Sequence, residues 1–249
     1  MMTKFGLRNL ALIFLFTILL TPIPALGQRI HPRLKKPKAE INRLVVLPVE
    51  VSLTKDGMKG GEPLEKEAAA ALPYFEKAIV TALTSKNLKV LDSPFKKEAL
   101  EENEKLKYAV ADLVRDYKQL QALISKKYKD VDKGRFSLGD KVLLLNQDDE
   151  IDAFVFLHAF GTKKSGGKKA LGIVLLNPFM VIPTYAVIVT IADARNGEIL
   201  AYNQLISFSD ITKEDGKSLT ELLMKGLKKV PNGESPPPAT DPNQKIDLN

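Results

Sequence analysis

The sequence contains no cysteine and no tryptophan, and its 249 residues include two histidines, His31 and His158. Without cysteine there is no disulfide, no thiolate nucleophile, no iron–sulfur cluster and no cysteine-ligated zinc. The acylated cysteine that anchors a bacterial lipoprotein is excluded with them. Two histidines cannot supply a three-histidine metal site from one chain. Reaction motifs are missing too: there is no Gly-x-Ser-x-Gly elbow and no dinucleotide fingerprint. Gly161 and Gly166 have phosphate-loop spacing, but Gly167 stands where lysine is required and Lys168 where serine or threonine is. No internal repeat is present.

What is present is a chain that is 45% hydrophobic, which at this length supports one sizeable core. Its first 27 residues have the plan of a secretory signal peptide. Lys4 and Arg8 open it, and Leu10 to Leu20 is interrupted by Thr17 alone. Pro22 and Pro24 break the helix, and Ala25-Leu26-Gly27 places small residues where a signal peptidase reads. Cleavage is expected before Gln28. The rival reading is retention as an anchor, although the apolar stretch barely reaches spanning length.

The charge follows this division. The formal net charge is +7, and Lys4 and Arg8 account for two of it. Arg29, Arg33, Lys35, Lys36 and Lys38 account for the other five, so the chain beyond them is neutral. A nucleic-acid binder carries its excess on the folded domain, and no nucleic-acid partner is expected. A basic leader beside a membrane attracts anionic lipid or polymer at ~1 kcal/mol per cation; the plainer reading is a solvated linker over 28–43.

Leu44 to Val49 reads as a strand buried on both faces, with Pro48 near its exit. Thr54 to Gly61, with Gly57, Gly60 and Gly61, reads as a loop. Glu62 to Leu72 is rich in helix formers. Pro73 either kinks that helix or starts another, which carries Phe75, Ile79, Ala82 and Leu83. Leu88 to Leu91 is a second strand. Ser93-Pro94 opens a helical region whose stripe is Leu106, Val110, Leu113, Tyr117, Leu120 and Ile124. Ser137 is placed to cap a short helix containing Val142, Leu143 and Leu145. Asp152 to Phe160 is apolar on both faces and reads as a central strand. Tyr185 to Ile191 and Glu198 to Phe208 read as a hairpin about Asn196-Gly197. Ser218 to Lys229 is a last helix, and 231–249 reads as a disordered, proline-rich tail. The expectation is one α/β domain over 44–230: a mixed β-sheet with helices packed on it, ending in an antiparallel hairpin.

His158 sits in the central strand and reads as a core histidine with one hydrogen bond. Asp148, Asp149, Glu150 and Asp152 form an acidic knot, which is either solvated or a hard-cation site. Asp130 to Gly134 echoes a calcium loop with its glycine one position early. The oddest feature is the roughly twenty-residue connection after the central strand. Lys163, Lys164, Lys168 and Lys169 precede an almost wholly apolar run that includes Ile173, Leu175, Leu176, Phe179 and Met180. It is either an element buried under the sheet or an exposed contact for a membrane surface or partner protein.

Val45-Val46-Leu47-Pro48-Val49, Phe75 to Leu83 with Leu88 to Leu91, Ile151 to Val155 and Ile191 to Leu200 together carry a resemblance. Over about 44–208 the pattern is similar to the α/β domain of three envelope protein groups. These are the curli-secretion channel lipoproteins, the amino-terminal domain of the Tol–Pal translocation protein and the lipoprotein activators of peptidoglycan synthases. The resemblance implies binding or assembly in a Gram-negative-type envelope and no active site. Two departures stand out: there is no lipid-bearing cysteine, and the 163–183 insertion replaces a simple loop. The expectation is therefore a non-enzymatic periplasmic or outer-membrane-peripheral protein, with no cofactor, that docks on envelope proteins or a membrane surface. The contact set is Lys163, Lys164, Lys168, Lys169, Ile173, Leu175, Leu176, Phe179 and Met180, helped by the basic leader. The alternatives are a secreted metal-dependent hydrolase using Asp148, Asp149 and Asp152, or a periplasmic small-ligand binder with its pocket at the strand ends.

Overall fold

A computed structural model describes residues 28–35, 41–57, 60–146, 149–164, 184–212 and 216–233. The signal segment, Lys36, Lys38, Asp148, residues 165–183 and 234–249 lie outside them.

Among the described residues eight strands form one mixed sheet: β1 (Arg29–Ile30), β2 (Arg43–Val46), β3 (Glu50–Gly57), β4 (Gly60–Pro63), β5 (Lys89–Val90), β6 (Ala153–Lys164), β7 (Thr184–Asp193) and β8 (Ile199–Ser207). Four helices among the described residues accompany it: α1 (Glu65–Thr84), α2 (Lys97–Glu102), α3 (Glu104–Lys126) and α4 (Lys217–Gly226). The strand order is β1-β8-β7-β6-β2-β5, with β3 continuing the line of β2 along β6 and β4 pairing β3. β2, β3 and β5 run parallel with β6, directly or through β2, while β7 and β8 form an antiparallel meander with it.

The two apolar faces of β6 divide the core. Ala153, Val155, Leu157 and Ala159 pack with α1 and α4, while Phe154 and Phe156 pack with α3 and the 3-10 turns that follow it. Side chains alternate across a strand, so a strand apolar at every position belongs between two layers. The helix α3 buries Val110, Leu113, Tyr117 and Ile124 at the predicted spacing.

Several local expectations change. Pro73 does not start a second helix; it lies inside α1, which continues through it. Thr54 to Gly61 is no loop, since Thr54 pairs with Pro63 and Gly57 with Gly60 as a β3–β4 hairpin. Ser137 does not cap a helix. Its hydroxyl accepts from the backbone N–H of Gly139, and Gly139–Leu145 is a 3-10 turn. At the β7–β8 turn only Gly197 takes a positive φ, +72°, while the Asn196 side chain accepts from the N–H of Glu198.

The basic stretch is the largest structural difference. Arg29–Ile30 is an edge strand on β8, and Ile30 and Leu34 enter the core. Arg29 is bound to Asp132 at 2.8 Å, and Arg33 to Asp193 at 2.9 Å and Glu198 at 2.7 Å. These acids are supplied a hundred or more residues away, so local composition could not reveal that the charges are paired. Lys35 remains exposed. At the other end, the N–H of Gly233 donates to the Lys86 carbonyl, so the tail begins fastened near the start of β5.

Candidate functional site

The sheet leaves an opening where its parallel strands end. β5 is two residues long because Asp92, Ser93 and Pro94 turn the chain away, and proline has no N–H with which to continue a ladder. The last bond from that side runs from the Leu91 N–H to the Leu44 carbonyl. On the other side the neighbour begins with the Leu64 N–H donating to the Leu53 carbonyl. Between these points, among the described residues, β2 and β3 have a strand on one side only, β6.

The connections at this opening diverge. From β2 the chain passes through β3 and β4 into α1 on one face; from β5 it passes into α2 and α3 on the other. A crevice outside the carboxyl ends of parallel strands, where successive connections leave to opposite faces, is the usual ligand position in open α/β sheets.

A cavity of about 620 Å³ occupies the crevice. Its floor is Val46, Leu47, Pro48 and Val49. Leu72, Glu76 and Val80 of α1 form one wall, and Phe95, Leu100 and Lys107 stand on the other. A second cleft of about 470 Å³ continues it along Val49 to Ser52, between Glu65, Ala68 and Ala69 of α1 and Lys118 of α3. Val49 and Leu72 line both, so the two make one groove. Val80 is 39% exposed at its mouth.

Polar groups around the groove are mostly engaged. Lys96 binds Asp92 at 2.6 Å. Glu50 is held by Lys118 at 2.8 Å and by the ring Nε2 of His158 at 2.6 Å, while His158 Nδ1 lies 2.9 Å from Gln121 Oε1. His158 thus has two partners instead of the one expected, and it is buried against Tyr117 and Phe160. Burial pushes the Glu50 carboxyl up, but the hydrogen bonds from His158 and Lys118 prevail and hold it below the ordinary carboxylate range. Glu65, Glu76 and Lys107 stand outside any ion pair among the described residues.

Of the acidic knot, Asp152 is used structurally. Asp152 Oδ2 accepts from the N–H groups of Asn42 and Arg43, and Oδ1 from the Arg43 guanidinium at 3.1 Å. Asp149 and Glu150 lie at the surface, and Asp130 is bound to Lys133. Among the described residues no three histidines or carboxylates gather as a metal site. Of the contact set read from sequence, only Lys163 has a described side chain. It pairs with Glu67 at 2.5 Å. Lys164 closes β6, and the others fall outside the described residues. Sequence reasoning missed the groove residues because their joining depends on strand order; the one signal was Pro48 at the end of an apolar run. A pocket at the strand ends was among the expectations. Among the described residues no helix is long and apolar enough to cross a membrane.

No family model matches the sequence, and no curated protein matches it. Among solved structures, a point variant of the PelC dodecamer from Paraburkholderia phytofirmans aligns at 10% identity and TM-score 0.41. That match covers 84% of this chain and 98% of the other. A second PelC dodecamer from the same organism aligns at 11% identity and TM-score 0.36, covering 84% and 97%. Lipoprotein GNA1162 from Neisseria meningitidis aligns at 11% identity and TM-score 0.37, covering 76% and 95%. None of these three is named as a member of the secretion, translocation or synthase-activating groups expected from the sequence.

Proposed function

We propose that this chain is an exported, non-enzymatic docking protein of the bacterial envelope, and that it holds its partner in the groove along β2 and β3. The observation that carries the reading is the groove itself: an aliphatic floor at the strand ends, open to solvent at Val80 and continuous over two clefts. A catalytic cleft brings a nucleophile, a base and a stabilising group to one point. Here the charged side chains line the walls, and Lys96, Glu50 and Lys118 are tied to neighbours within the fold. Export rests on the signal-like first 27 residues. The cationic, apolar stretch from Lys163 to Met180 is a second contact in this reading, carried by the connection between β6 and β7.

The test is a full-length chain expressed in a Gram-negative host with a photo-crosslinking side chain at Val80, and separately at Tyr108, which is 67% exposed on α3. The expected result is a mature amino terminus at Gln28 and a discrete adduct from position 80 but not from 108. An uncleaved chain in the cytosol, or equal adducts from both positions, would overturn the reading.

A further inference from the structure

We infer that the groove takes its partner by strand addition: one extended segment of another protein lies along the open edge from Val46 to Leu53, with lysine or arginine side chains reaching Glu65 and Glu76 on α1. The inference rests on the docking reading and gives it a geometry and a partner chemistry.

The backbone carries the first argument. In a strand, alternate residues turn their N–H and C=O to the same edge. Leu44 turns its carbonyl to β5, so Val46 faces the same way; Leu53 turns its carbonyl to β4, so Val51 does likewise. Both series fit because the chain slips by one residue between them. Val46 pairs with Val155, an offset of 109, and Glu50 with His158, an offset of 108. The extra residue is a bulge at Leu47–Val49. Val46 and Val51 therefore present donors and acceptors to the groove, on either side of the bulge. Edges that must not pair are blunted by proline, by bulges or by inward-pointing charge, or are covered by another element. Pro48 and the bulge interrupt this edge at one point, but on either side of it the edge carries valines, and its one charge, Glu50, is drawn away by His158 and Lys118.

The walls choose the occupant. Leu72 and Glu76 flank the edge from one face, and Phe95 and Leu100 from the other. A second copy of this domain would bring its own flanking helices against them, whereas a single extended chain fits between. Such a strand points alternate side chains at α1 and at the α2–α3 wall. Among the described residues, Glu65 and Glu76 are unpaired carboxylates on the α1 side, eleven residues and roughly 16 Å apart along the helix. Opposite, Lys107 is likewise outside any ion pair among the described residues, while Glu101 on the same wall is engaged within the fold. Cations on the partner are thereby directed to the α1 face, and apolar side chains to Phe95 and Leu100.

The probe is the peptide acetyl-Lys-Val-Thr-Val-Lys-Val-Thr-amide, added to the full chain and read by hydrogen exchange over residues 46–53. Exchange there is expected to slow on binding. Glutamate in place of both peptide lysines, or the double variant E65K/E76K, is expected to weaken binding about tenfold. N-methylation of the central peptide valine is expected to abolish the protection. Equal affinity of the N-methylated or the glutamate peptide, or no slowing at all, overturns strand addition. A position-80 crosslink to the peptide without slowed exchange overturns it too, and leaves groove docking standing.

Discussion

Single side chains here are held by partners far along the sequence. Gly197 has φ +72°, and a Cβ there would lie 2.7 Å from both the N and the O of Gly139. Gly197→Ala combines left-handed strain with a backbone clash and should cost about 2–4 kcal/mol, read by urea unfolding. Asp152 offers a pH test. Burial raises its pKa, but hydrogen bonds from the Arg43 side chain and the N–H groups of Arg43 and Asn42 prevail and hold it below the ordinary range. A carboxyl depressed by folding stabilises above its unfolded value, about 3.9, and that stability is lost as pH falls through the lower folded value. Asp152→Asn should unfold more easily at pH 7 and lose stability less steeply below about pH 4, the ordinary aspartate value. Parallel acid profiles for the two proteins would refute the assignment.

At the level of elements, β1 and the turn after it are the surprise. Ile30 is 5% exposed and Leu34 4%, so removing residues 28–35 strips two buried aliphatic side chains from the core. At about 1.5–3 kcal/mol each, the loss should approach 3–6 kcal/mol, as an upper figure, and lower the midpoint of denaturant unfolding. A solvated linker would leave that midpoint unchanged. The helix α3 behaves oppositely: its amphipathic stripe is legible in the residue spacing alone, because every position that decides it lies within one element.

Across the whole molecule, the connection between β6 and β7 becomes interpretable. The two strands are antiparallel neighbours paired as far as Thr162 and Thr184, so residues 163–183 join adjacent strand ends. Replacing 165–182 by a short turn should preserve the fold and keep the melting temperature within about 4 °C. Collapse of the fold would place that segment in the core. If the segment is a second docking contact, the same deletion should lower recovery of the protein with membranes at low salt. The sequence directs attention to this segment as the docking surface because its apolar run is conspicuous; the groove is inconspicuous because its walls come from strands and helices separated by about 60 residues.

Much of the architecture is written locally. Residue alternation in β6, the stripe of α3 and the turn residues at Asn196-Gly197 each act within one turn or one strand, so the sequence by itself determined a mixed, two-faced sheet ending in a hairpin. Pairing across distance was decided only by the tertiary structure. It brought Asp132, Asp193 and Glu198 to the cations at Arg29 and Arg33, placed Glu50 on His158, and ended β5 two residues after it began. The physical reason is the range of the forces involved. Periodicity and turn preference are set by neighbours in sequence, whereas an open edge exists only once the chain has settled which strands lie beside it.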